Sequence, residues 1–142
     1  MTTPVWADDV VLSTLSGHGE IRDVRIRIGQ RDRARILLID AGVPTEIEDS
    51  DYRNCLDVVR TRLQGEDRLL CCQGARPNVH ASGMLLQFGN GREAYVLASG
   101  NGDEEPAVVD IFAPAPTSQV TTMEKQRAWY FDFLGWAPAR RE

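Results

Sequence analysis

GEIRDVRIRIGQ, residues 19–30, constrains the fold more than any other stretch: Ile21, Val24, Ile26 and Ile28 interleave with Asp23, Arg25 and Arg27. A near period of two marks a strand with one wet face and one dry face, which a second layer must cover. GQRDR reads as a turn, and ARILLIDAG as a more continuously apolar strand set deeper in the same sheet. An earlier strand near Val10–Leu15 joins this hairpin.

GVPTEIEDS reads as a loop feeding a helix over residues 51–64, with Ser50 as its N-cap and Asp51 in the first turn. Tyr52, Cys55, Leu56, Val59 and Leu63 recur at helical spacing before Gly65 ends the run. Arg68–Cys72 is predicted as a strand. Asn90-Gly91 marks a tight hairpin, with Ser82–Gln87 read as a strand or as a short helix entering the turn. AYVLASGNGDEEPAVVDIFAPA suggests a second hairpin with a longer connection, and APAPTS a linker. A last helix over residues 121–136 starts from a Thr121/Glu124 capping box. It carries two apolar strips, one of Met123, Tyr130, Phe131 and Leu134, the other of Trp129, Phe133 and Trp136. Both are expected in the core. The alternative leaves one aromatic strip partly exposed and open to self-association through the C-terminal helix.

At 142 residues the chain is expected to form one domain, residues 1–142. The predicted class is α+β: a mainly antiparallel sheet of about five to seven strands, with the two principal helices packed on it. Apolar runs such as Ile36–Ile39 fall far short of the ~18 residues that span a bilayer, and MTTPVWADD lacks the features of a signal peptide. A cytoplasmic, membrane-free protein is expected. Three cysteines, two of them adjacent, do not make a disulfide framework. A net charge of −5 argues against nucleic acid as a partner, and the arginines of the first hairpin lack the interleaved aromatics of a base-stacking platform.

CCQGARPNVHASGM, residues 71–84, concentrates the polar chemistry. Cys71 and Cys72 point to opposite faces of a strand and lack a Cys-x-x-Cys or paired-histidine context, so no metal and no cofactor is expected. A Cys–His pair with His80 is conceivable chemically but has no supporting motif. Ser82-Gly83 lacks the flanking glycines of a nucleophile elbow. Arg76, with Asn78, His80, Ser82 and Cys72 nearby, could offer a fork to a carboxylate or phosphate, which is the small-molecule, nucleotide-binding or enzyme reading of this loop. The favoured reading is a hydrogen-bonded structural knot.

The stretch LQGEDRLLCCQGARPNVHASGM, followed by GNGREAYVL, VVDIFAPA and TTMEKQRAWY, resembles a group of small single-domain actinobacterial proteins. In size, charge and α+β make-up the chain is also similar to immunity proteins of bacterial polymorphic toxin systems. That likeness implies a non-catalytic, cytoplasmic inhibitor that binds and blocks a cognate toxin. The surface expected to meet such a protein partner combines Glu46, Glu48, Asp49 and Asp51 with Trp129, Phe133 and Trp136.

Overall fold

The computed structural model describes residues 5–30, 33–81, 89–97 and 106–135. It is an α+β structure with two antiparallel sheets and two helices. In chain order these are β1 (Val5–Ser16), β2 (Ile21–Gln30), β3 (Ala34–Asp40), β4 (Val43–Asp49), α1 (Tyr52–Gln64), β5 (Arg68–Leu70), β6 (Val79–His80), β7 (Glu93–Val96), β8 (Ala107–Asp110) and α2 (Met123–Phe133). The larger sheet runs β4-β3-β2-β1-β5 and the smaller β6-β7-β8. The strands thus divide between two sheets, where one sheet of five to seven was expected.

Alternation in β1 to β4 sorts the larger sheet into two faces. Leu12, Val24, Ile26, Ile28, Ala34, Ile36, Leu38 and Ile47 are buried on the inner face. On the outer face Arg25 and Arg27 flank Asp9 at 3.4 and 3.7 Å, and Arg35 reaches Glu46 at 2.5 Å and Glu48 at 3.2 Å. Ile21 departs from the expected apolar set. It pairs with Leu15 on the outer face and is 58% exposed, because three residues separate it from Val24 where the buried positions of β2 are two apart.

GVPTEIEDS is mostly strand, which corrects the loop reading. β4 pairs along all of β3, with Ile36 opposite Ile47 and Arg35 opposite Glu48. Ala41 and Gly42, at φ 53° and 79°, supply the two positive-φ residues of a type I′ hairpin turn, an unusual place for alanine. As an edge strand, β4 buries only Ile47, so its apolar signal is weak.

The N-cap of α1 is Asp51 rather than Ser50: the Asp51 side chain accepts from the Asn54 backbone N–H at 2.7 Å. All five apolar-stripe residues are buried, and Arg60 is buried with them. The helix packs on β3, β4 and β5, and the Tyr52 hydroxyl donates to the Gly29 carbonyl. Its other side meets Phe112, whose ring stands edge-on to Tyr52 at 6.3 Å, and the segment around Gly74.

α2 differs most from expectation. Thr122, not Thr121, caps it, accepting from the Lys125 N–H. Thr121 is held in the approach to the helix by its own N–H to Ala75 O and its carbonyl to Arg60. Among the eleven residues of α2 none is fully buried. Neither apolar strip therefore enters the core: α1 already covers the inner face of the larger sheet, so α2 lies against α1 and the 74–80 segment. The helix ends at Phe133. Trp136 and Ser82 lie outside the described residues, as does the segment preceding the Asn90-Gly91 turn. Both residues of that turn have positive φ, and β7 follows it. Among the described residues no helix is long and apolar enough to cross a membrane.

Candidate functional site

Residues 71–81, the described part of the 71–84 segment, are bonded into the fold. Cys71 N–H donates to Ser13 O at 2.8 Å, and Cys72 bridges to Pro114. A 3-10 turn follows at Gln73–Ala75. The Arg76 guanidinium donates to Gln73 Oε1 at 2.7 Å, and Asn78 Nδ2 to Leu97 O at 3.1 Å. His80 Nε2 sits 2.7 Å from Pro77 O; a carbonyl can only accept, so Nε2 carries the proton. Burial holds the His80 pKa below the ordinary value against this hydrogen bond, which keeps the ring neutral. All three cysteines are buried free thiols. Burial pushes Cys55 and Cys72 up to about 12 and raises Cys71 as well. A thiol so placed holds its proton at neutral pH and lacks the electropositive, accessible setting of a nucleophile.

The two sets of candidate residues meet at His80. Its ring stacks on Tyr130 at 4.3 Å and lies parallel to Trp129 at 5.9 Å, and Trp129 stacks on Phe133 at 5.2 Å. A line of aromatic rings thus runs from the buried end of β6 out along α2, ending at Phe133, which is 36% exposed, with Leu134 next in sequence 55% exposed. Spacings of four and three residues in the sequence had indicated Trp129 and Phe133. The participation of His80 depends on a contact that crosses about fifty residues of chain, which no local pattern encodes.

Polar side chains hold this helix in place. Gln126 Oε1 accepts from Arg60 Nη1 at 2.6 Å, while Gln126 Nε2 donates to Gly74 O at 2.9 Å and Arg76 O at 2.8 Å. Gln64 Oε1 accepts from Met123 N–H, and Gln64 Nε2 donates to Glu124. Sequence reading missed Arg60 and Gln126. The one available signal was a long charged residue inside the apolar stripe of α1, next to Val59.

The acidic candidates lie on the other side of α1. Glu46 and Glu48 are ion-paired to Arg35 on the outer face of β4. The carboxyl of Asp49 accepts from the backbone N–H of Ser50, which lowers its pKa, and Asp51 caps α1. Between α1 and α2 a cleft of about 240 Å³ brings together Arg53, Asp57, His80, Gln126, Arg127 and Tyr130. Among the described residues no cluster of three or more His, Cys, Asp or Glu could hold a metal ion. No model of a known protein family matches the chain, and no curated protein matches it.

Proposed function

We propose that this chain is a non-catalytic protein-binding domain whose contact surface centres on α2, and, more concretely, an immunity-type inhibitor that blocks a cognate bacterial toxin. One observation carries the reading: α2 presents stacked Trp129 and Phe133 with exposed Leu134, on a helix that buries no side chain fully and is fixed by hydrogen bonds. Aromatic residues of this kind, pre-stacked and half-exposed, are the usual anchors of protein interfaces. Their order is set before binding, so little conformational entropy is lost on contact. A net charge of −5, with Asp49 and Asp51 at the start of α1, favours a basic partner and steers its approach, whereas Glu46 and Glu48 are paired to Arg35 on the outer sheet face. The bonded-in residues 71–81 and their protonated thiols support binding over nucleophilic chemistry.

The test is capture from host lysate on tagged wild-type chain, Phe133→Asp and Arg25→Ala. The reading expects a stoichiometric, basic protein held by wild type and by Arg25→Ala, which lies on the opposite sheet face, and lost from Phe133→Asp. Equal retention by Phe133→Asp, or recovery of small molecules only, would overturn it. Recovery of a second copy of the chain alone would replace it with self-association through α2.

A further inference from the structure

On α1, Arg53, Asp57 and Arg60 fall at i, i+4 and i+7, a polar stripe beside the apolar one. On α2, Gln126 and Tyr130 fall at i and i+4 with Arg127 between them. Docking of α2 sets these stripes across the 240 Å³ cleft, whose wall at one end is the His80 ring against Tyr130. The volume lies below the roughly 300–1,000 Å³ of pockets that take drug-sized ligands, so the occupant it suits is small.

The charges of the cleft act on one another at a distance, without a close ion pair among the described residues. Elsewhere Arg35, Arg68 and Arg92 each reach two carboxylates. Arg60, only 3% exposed, bonds instead to neutral acceptors, namely Gly74 O, Gln126 Oε1 and Thr121 O. Among the described residues Arg53 and Arg127 make no hydrogen bond or ion pair, and neither does the Asp57 carboxylate. Burial raises the Asp57 pKa, with Arg53 and Arg60 only partly offsetting it. Arg53 and Arg127 are exposed, so their guanidiniums are open to water or to an entering ligand, while Asp57 is half-buried. Here two forks and a carboxylate face a shared space, and two arginines against one aspartate make that space positive in a chain of net charge −5, with buried Arg60 lining the smaller gap beside it. Behind the cleft, between Arg60, Gln126 and Ala94, a gap of about 20 Å³ has room for one water.

We propose that the cleft between α1 and α2 binds a small zwitterion of amino-acid size, its carboxylate held by the Arg53 and Arg127 guanidiniums and its ammonium by Asp57, with Tyr130 and His80 as the apolar wall. Guanidinium matches carboxylate in bidentate geometry, and an ammonium supplies the donors that the Asp57 oxygens lack. This site shares α2 and the His80 ring with the partner surface but does not use Phe133.

The experiment is an NMR titration of the full ¹⁵N-labelled chain with each of the twenty standard amino acids, and with acetate and methylamine as half-ligands. At least one amino acid is expected to give saturable shifts at Arg53, Asp57 and Tyr130 in the millimolar range or tighter, and to bind at least about tenfold better than either half-ligand. Arg127→Ala, at an exposed position, is expected to weaken that binding about tenfold while leaving the ligand-free melting temperature unchanged. Asp57→Asn is expected to raise that melting temperature at neutral pH and to abolish the preference over acetate. Absence of saturable shifts with every amino acid would overturn the proposal. So would acetate matching the best amino acid, or a preference that survives Asp57→Asn. Phe133→Asp leaves the titration intact if the site is as proposed, so this result and the fate of the protein partner are read separately.

Discussion

Truncating Gln126 to alanine removes the main fastening of α2. The Arg60 Nη1 donor loses its nearer acceptor at 2.6 Å and keeps Gly74 O at 3.2 Å, while Gly74 O and Arg76 O lose the Gln126 donor at 2.9 and 2.8 Å. A hydrogen bond to a charged group contributes about 1.5–3 kcal/mol and a neutral one about 0.5–1.5 kcal/mol, so the three together bound the loss at roughly 2.5–6 kcal/mol. Water entering from the adjoining cleft satisfies part of what is exposed, which places the expected cost near the lower end, about 2.5–3 kcal/mol. Because α2 buries no side chain fully, this loss falls on helix docking before it falls on the core. Native-state hydrogen exchange should show amides 126–133 exchanging at least about thirtyfold faster, with β2 and β3 little changed. Gln126→Glu separates the two halves of the fastening, since it keeps an acceptor for Arg60 but cannot donate to the carbonyls; an intermediate effect is expected. Unchanged exchange in α2, or equal acceleration in α2 and the central strands, would refute the reasoning.

Other perturbations test the account elsewhere. A Cβ at Gly74 would sit 2.5 Å from Leu56 Cδ2 and 3.0 Å from Ile111 Cβ, so Gly74→Ala should lower the urea midpoint by an amount equivalent to about 1–3 kcal/mol; an unchanged midpoint contradicts the packing described. The Arg68 guanidinium, 2.8 Å away, holds the Asp40 carboxyl below the ordinary carboxylate value. That stabilisation is complete above the unfolded pKa and is lost as pH falls through the folded one. Asp40→Asn should therefore flatten the acid limb of stability below about pH 4, and an identical slope in the variant would count against the pairing. Cys55, Cys71 and Cys72 should resist thiol reagents at pH 8 until the chain unfolds, whereas labelling within seconds in the folded state would show an exposed thiolate.

The elements legible in the sequence were those whose own pattern demanded burial. The β2 alternation and the α1 stripe were read correctly because Val24, Ile26, Ile28, Tyr52, Cys55, Leu56, Val59 and Leu63 all face one core. β4 escaped because an edge strand buries one apolar residue and turns on Ala41, where Asn or Gly would have signalled a hairpin. The capping residues were each placed one position early, at Ser50 and Thr121, since adjacent hydroxyl and carboxylate residues offer competing caps and only the tertiary bonds of Thr121 decide between them. Placing both α2 strips in the core failed for a tertiary reason, as the sheet face such a helix would cover is occupied by α1. Within residues 71–81 the hydrogen bonds of Arg76, Asn78 and His80 stay inside the fold, but the His80 stack and the Arg60–Gln126 bond join residues about fifty or more positions apart, and no sequence window contains both partners.

The central claim, that α2 is the partner-binding surface, is tested most directly by hydrogen exchange of the chain alone and bound to the basic protein captured on it. The account predicts protection gained over residues 123–135, with β1 and β2 unchanged. Protection confined to the outer face of the larger sheet, with α2 exchanging as in the free chain, would contradict it.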